Sequence, residues 1–149
     1  MNAESRFILS QGFAEPAPES CGLHFAALQF QPRVIGIIVV AGMILQSVAL
    51  FVILGIVLCW GAMVPDANVF EWAYNLTSPR YRLNRAPAPR RFAQGLAGMM
   101  ALAIAAFLYM HWMLAATVLE LLLLAAVAGI LFAKFCFGSW LYHTVFAGR

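Results

Sequence analysis

The sequence predicts an all-α integral membrane protein made of two helical hairpins joined by a basic loop. Three observations predict it. Hydrophobic residues fill 64% of the 149 positions and charged residues only 10%, whereas soluble domains run nearer half apolar and a quarter charged. Two long apolar blocks, Val34 to Val64 and Phe92 to Phe132, dominate the chain. Between them sit five of the nine basic residues, Arg80, Arg82, Arg85, Arg90 and Arg91. A basic cluster beside a membrane segment marks the cytoplasmic face and meets anionic lipid headgroups. No aromatic-and-basic recognition pattern accompanies it, so nucleic acid is not the expected partner.

Residues 1–31 read as an N-terminal tail followed by an interfacial segment, with Pro16 and Pro18 and a short apolar patch from Leu23 to Phe30. The first positions lack the basic-then-apolar layout of a signal peptide. Residues 32–64 form the first membrane block. Its charge-free stretch would span about 46 Å as one helix, well beyond a hydrocarbon core of about 30 Å. A hairpin broken at the polar pair Gln46-Ser47 is favoured, giving four membrane helices in all; one long helix would give three.

Residues 65–91 form the loop. Pro65, Asp66 and Asn68 end the first block, since proline cannot continue a helix and Asp and Asn favour turns. Phe70 to Asn75 then reads as a short amphipathic helix lying in the interface, with Trp72 and Tyr74 at headgroup level. Residues 92–135 are the second hairpin, broken at Tyr109 to Met113, where Tyr109 and Trp112 suit an aromatic belt. Its first helix carries Gly95, Ala97, Gly98, Ala101 and Ala105, and small residues at this spacing let helix backbones approach closely. Residues 136–149 form an interfacial C-terminus with Trp140, Tyr142 and Arg149. Central loop and C-terminus both read as cytoplasmic.

Few residues could carry chemistry. Glu120 is the only charge deep inside an expected helix, and a carboxylate there must be neutral, paired or facing water. It reads either as a proton relay or as a neutral side chain hydrogen-bonded to Gln46 or Thr117. His24, His111 and His143 are the residues that could ligate haem or a chlorophyll-type pigment. His111 and His143 fall at opposite ends of the last helix, however, and no cofactor is expected from the residues alone. Cys21, Cys59 and Cys136 make neither a CxxC pair nor a zinc spacing. Cys59 and Cys136 come to similar depth, which allows a thiol pair, although free buried cysteine more often behaves as a small hydrophobe. The arginines serve as a topology signal that touches lipid, or else bind a phosphate group or a partner's acidic patch.

Two motifs, Ala86-Pro-Ala-Pro-Arg-Arg-Phe-Ala-Gln94 and Phe135-Cys-Phe-Gly-Ser139 followed by Tyr142, carry a resemblance. Together they resemble the DUF4395 family, small bacterial integral membrane proteins whose shared domain has no assigned function. In that family a Pro-Arg-Phe-Ala-Gln-like helix opening precedes a hairpin closed by Phe-Cys-x-Gly-Cys. The likeness covers mainly residues 86–143, with weaker support from Pro65 to Tyr74. It implies a compact domain of two related hairpins in the bacterial inner membrane, and it supplies no activity. This chain departs at Ser139, where the family pattern has a second cysteine, so no thiol pair forms between positions 136 and 139.

The expected function is a non-catalytic accessory subunit packed against other membrane proteins, motivated by the small-residue face and the lack of a catalytic constellation. The alternatives are a small proton-coupled transporter or channel using Glu120, and a thiol-redox protein using Cys136 with Cys59.

Overall fold

The computed structural model describes residues 3–15, 17, 19–78, 82–83 and 85–146. Among them are seven α-helices and no strand: α1 (Ala3–Ser10), α2 (Cys21–Leu45), α3 (Val48–Met63), α4 (Val69–Thr77), α5 (Ala88–Tyr109), α6 (Met113–Phe132) and α7 (Phe137–Phe146). The protein is an all-α membrane protein. Helices α2, α5 and α6 are long and apolar enough to cross a bilayer. Helix α3 is a shorter apolar helix, about 24 Å long at 1.5 Å per residue.

The first block breaks at Gln46-Ser47. Gln46 adopts a left-handed conformation (φ 45°) that ends α2, and the Ser47 hydroxyl accepts from Leu50 N at 3.3 Å to open α3. The turn folds back tightly enough for the Phe51 ring to press against Gly42, where a Cβ would sit 2.8 Å from the ring. Helix α3 then runs antiparallel to α5. Gly55 and Cys59 meet Gly98, and Ala62 meets Gly95. A Cβ on Gly98 would come within 2.7 Å of the Cys59 sulfur, so glycine is what allows the two backbones to touch. The small-residue face of α5 is therefore occupied within the chain by α3. The second hairpin turns at Met110 to Trp112, and α6 returns antiparallel to α2, with Gly36 against Val127 and Gln29 reaching Leu131.

Two elements depart from the sequence reading. Helix α2 begins at Cys21 and passes straight through Pro32, so the interfacial segment and the first membrane helix are one continuous helix. Proline removes one backbone bond from a helix interior, and packing on both sides of Pro32 compensates for it. The C-terminal segment, read as interfacial with no secondary structure given, is helical over Phe137–Phe146. Lys134, at φ 52°, turns the chain after α6, and α7 folds back onto α5.

Two cores result. The bundle core gathers Val39, Phe51, Leu54, Leu58, Ala101, Ile104 and Leu123. A second core, at the end where α2 and α5 begin and α6 ends, gathers Phe7, Ile8, Cys21, Ala27, Leu28, Leu83 and Cys136. We call this the basal end. Helix α1 belongs to it. The Ser10 carbonyl accepts from the Ser139 hydroxyl and from His143 Nε2, the latter at 3.0 Å, and Lys134 Nζ lies 3.3 Å from Glu4.

Candidate functional site

The basal end holds most of the buried polar groups. Arg90 sits in the first turn of α5, a proline-opened helix start (Pro87-Ala88-Pro89) that carries no acidic residue. It is 6% exposed. Its Nη2 donates to Gln31 Oε1 of α2 at 3.0 Å, and its Nε lies 4.0 Å from Glu71 Oε1 of α4. That second distance is electrostatic contact without a hydrogen bond, and both atoms lack any other partner. Burial pushes the Glu71 carboxyl above its ordinary range, and the Arg90 charge pulls it part of the way back.

A neighbouring network positions this pair. Asn68 starts α4 by accepting from Phe70 N, and its Nδ2 donates to Gln94 Oε1 at 3.2 Å, one helical turn beyond Arg90. Gln94 packs against Gly61, which leaves no room for a Cβ there. Arg91, adjacent in sequence, points elsewhere: its Nε donates to Ala62 O at 2.8 Å, and its Nη2 lies 3.5 Å from Met63 O. It thus satisfies the last carbonyls of α3.

A cavity of about 670 Å³ opens beside Arg90, between α2, α5, α6 and α7. Gln11, Gln31, Arg90 and Gln94 line its polar end, and Ile35, Met100 and Leu123 line its far part. From Arg90 to Met100 it follows about 15 Å of α5. Gln11, in the turn after α1, is 4% exposed and its Nε2 has no hydrogen-bond partner.

The residues singled out from sequence scatter across this frame. Glu120 is buried at 1% exposure inside the bundle, with Oε1 unpartnered, and does not line the cavity. Gln46 does not reach it; its amide donates to Met43 O at the exposed α2–α3 turn. His111 is exposed at φ 58° in the α5–α6 turn, far from the basal end that holds His24 and His143. His24 is buried with its ring edge-on to Phe13, and His143 holds Ser10. Among the described residues no three His, Cys, Asp or Glu side chains gather as a metal-holding group.

Cys59 lies at the α3–α5 contact, whereas Cys136 packs in the basal core with Cys21. The pairing of Cys59 with Cys136 is thus not brought together, because the two sit in different packing layers. Of the arginines read as touching lipid or a partner, Arg90 is corrected: it is buried in a polar network. Arg91 caps α3 and stays half-exposed, because successive helical residues point about 100° apart. Arg85 makes an exposed ion pair with Asp66 at 3.5 Å, Arg82 is exposed, and Arg80 lies outside the described residues. Sequence reading missed Gln11, Gln31, Glu71 and Gln94. The available signal was four amide or acid side chains flanking apolar runs.

The model of the family described as domain of unknown function (DUF4395) matches residues 26–146. The chain belongs to this family. Comparison with curated proteins and with solved structures gives no match. The DUF4395 match runs from within α2 through α7, so Gln31, Glu71, Arg90, Gln94 and Ser139 lie inside it, whereas Phe7 and Gln11 of the cavity lie outside it. Ser139, where the resemblance expects a second cysteine, is fully buried and holds the Ser10 carbonyl.

Proposed function

We propose that this protein is a non-catalytic membrane protein that holds a small membrane-dissolved ligand, with its basal end on the cytoplasmic side of a bacterial inner membrane. The cavity beside Arg90 carries the reading. It has the size of a ligand pocket, apolar walls, and a few convergent polar groups at one end. The orientation is supported by charge: Arg6, Arg33, Arg82, Arg85, Arg90, Arg91 and Lys134 all lie at or near the basal end.

One of the motives for an accessory-subunit role, the small-residue face of α5, is taken up by α3 within the chain. The experiment is purification from native membranes in mild detergent, followed by identification of everything retained. The expected result is about one small amphiphilic molecule per chain. A membrane protein at fixed stoichiometry, with nothing in the cavity, would restore the accessory role.

A second reading is favoured by one observation, the unpartnered Glu120 Oε1 in the bundle interior. Such an acid suits a proton site. Glu120→Gln keeps the shape and removes the titration, so unchanged proton flux in vesicles would end that reading.

A further inference from the structure

We propose that the cavity is a binding site for a single-chain amphiphile with an anionic head. The head lodges at Arg90 and Gln11, and the chain lies between α2, α5 and α6. The inference rests on the reading of the protein as a ligand holder and assigns the ligand's chemical class.

Four observations converge on it. First, Arg90 Nε and Gln11 Nε2 are buried donors without partners, on two residues that both line the cavity. A buried N–H without an acceptor costs about 1–3 kcal/mol, more on a charged group, so an acceptor at this place is strongly favoured. Two donors from separate elements suit a head with more than one acceptor oxygen. Secondly, among the described residues lining the cavity, Arg90 alone carries a charge. Arg90 stands at the N-terminal end of α5, and Phe137 and Gly138 at the start of α7 line the same cavity. Neither helix has an acidic residue in its first turn, so both partial positive ends lack a counter-charge from their own helix.

Thirdly, Glu71 does not fill the role. It lies 4.0 Å from Arg90 Nε, beyond hydrogen-bond reach, and is not among the cavity-lining residues. Fourthly, the volume accommodates one chain. A cavity of about 150 Å³ holds a benzene ring, so about 670 Å³ suits a single long alkyl chain and its head. The wall beyond the polar end is made by residues such as Ile35, Ala97, Met100, Leu123 and Val127, which offer an alkyl chain contact and no hydrogen bond. A carboxylate from a free fatty acid and a phosphate from a single-chain lipid share this chemistry.

The full chain, purified in an uncharged detergent, is titrated with hexadecanoate, hexadecyl phosphate and hexadecanol. Binding is read by native mass spectrometry and by thermal unfolding. The expected result is saturable binding of one anion per chain, at least roughly tenfold tighter than the alcohol, as loss of a charge-assisted hydrogen bond implies. The tighter of the two anions identifies the source, carboxylate or phosphate. Arg90→Met with Glu71→Met removes the preference for anions without leaving a lone buried charge. Gln11→Leu, which leaves the ion pair intact, weakens the anions several-fold and the alcohol little. Ala126→Phe fills the chain-binding part and weakens all three. Equal binding of alcohol and anions, lost in Ala126→Phe, overturns the anionic head and leaves the ligand-holding reading standing. No saturable binding of any probe overturns both.

Discussion

The bundle and the basal end are built from the same helices, yet they bury opposite kinds of side chain. In the bundle the other buried residues are apolar, Gly55 and Gly98 let α3 and α5 approach closely, and Glu120 is the one buried ionisable side chain in that region among the described residues. At the basal end Gln11, His24, Gln29, Gln31, Asn68, Glu71, Arg90, Gln94 and Ser139 are all buried. A bilayer explains the first pattern, because helices with small residues at their contacts pack closely without any polar group. It does not explain the second. Burying a polar layer costs free energy unless each group is satisfied, and here several are not. The difference teaches that the bundle is scaffold and that the basal end is where chemistry is concentrated.

The largest test of that contrast is Arg90→Met alone. It leaves Glu71 buried without its counter-charge, and about 3–5 kcal/mol of stability should be lost, read as unfolding in detergent. Adding Glu71→Met should recover most of it, since well-packed apolar replacements for a buried pair are often neutral. If the single change costs nothing, Arg90 and Glu71 do not act as a buried pair.

The scaffold is probed by Gly98→Ala. The added Cβ meets the Cys59 sulfur and backbone, and about 1–3 kcal/mol should be lost through overpacking while the basal network is spared. Cys59→Ala in the same chain should restore part of the loss.

Asn68→Ala removes a helix-starting acceptor and the donor to Gln94 together. A loss of about 1–2 kcal/mol is expected, with α4 loosening first by hydrogen exchange.

The smallest effect is one of pH. Burial holds the Glu71 carboxyl above its ordinary value, so the folded chain keeps this proton to higher pH than the unfolded chain does. Its contribution is therefore fully present below the ordinary carboxylate range and is lost as pH rises through the raised value. Thermal midpoints of the wild type should fall across that window, and Glu71→Gln should remove this component. Because Arg90 offsets part of the burial, the slope is shallow.

Much of the scaffold was legible in the sequence. Gln46-Ser47 and Tyr109 to Met113 stood out as the only polar or aromatic breaks in apolar runs too long for one crossing. Asn68 announced α4. The start of α2 was not legible, because Pro32 beside Arg33 looks like a boundary unless the packing around it is known. The same holds for Asn75, which clamps the loop through both Leu83 N and Leu83 O. The basal site was legible only as a cluster of arginines. Which arginine faces inwards depends on the partners that α2 and α4 bring, Gln31 and Glu71, and these are distant in sequence. Cavities leave no local pattern at all.

The most direct measurement of the central claim compares endogenous adducts on two proteins purified from native membranes. One is the wild type, and the other is the Arg90→Met, Glu71→Met variant with its helix content verified by circular dichroism. Native mass spectrometry of the wild type should show one small amphiphile per chain, and the folded variant should have lost it. The same adduct at the same occupancy on both proteins would contradict the account.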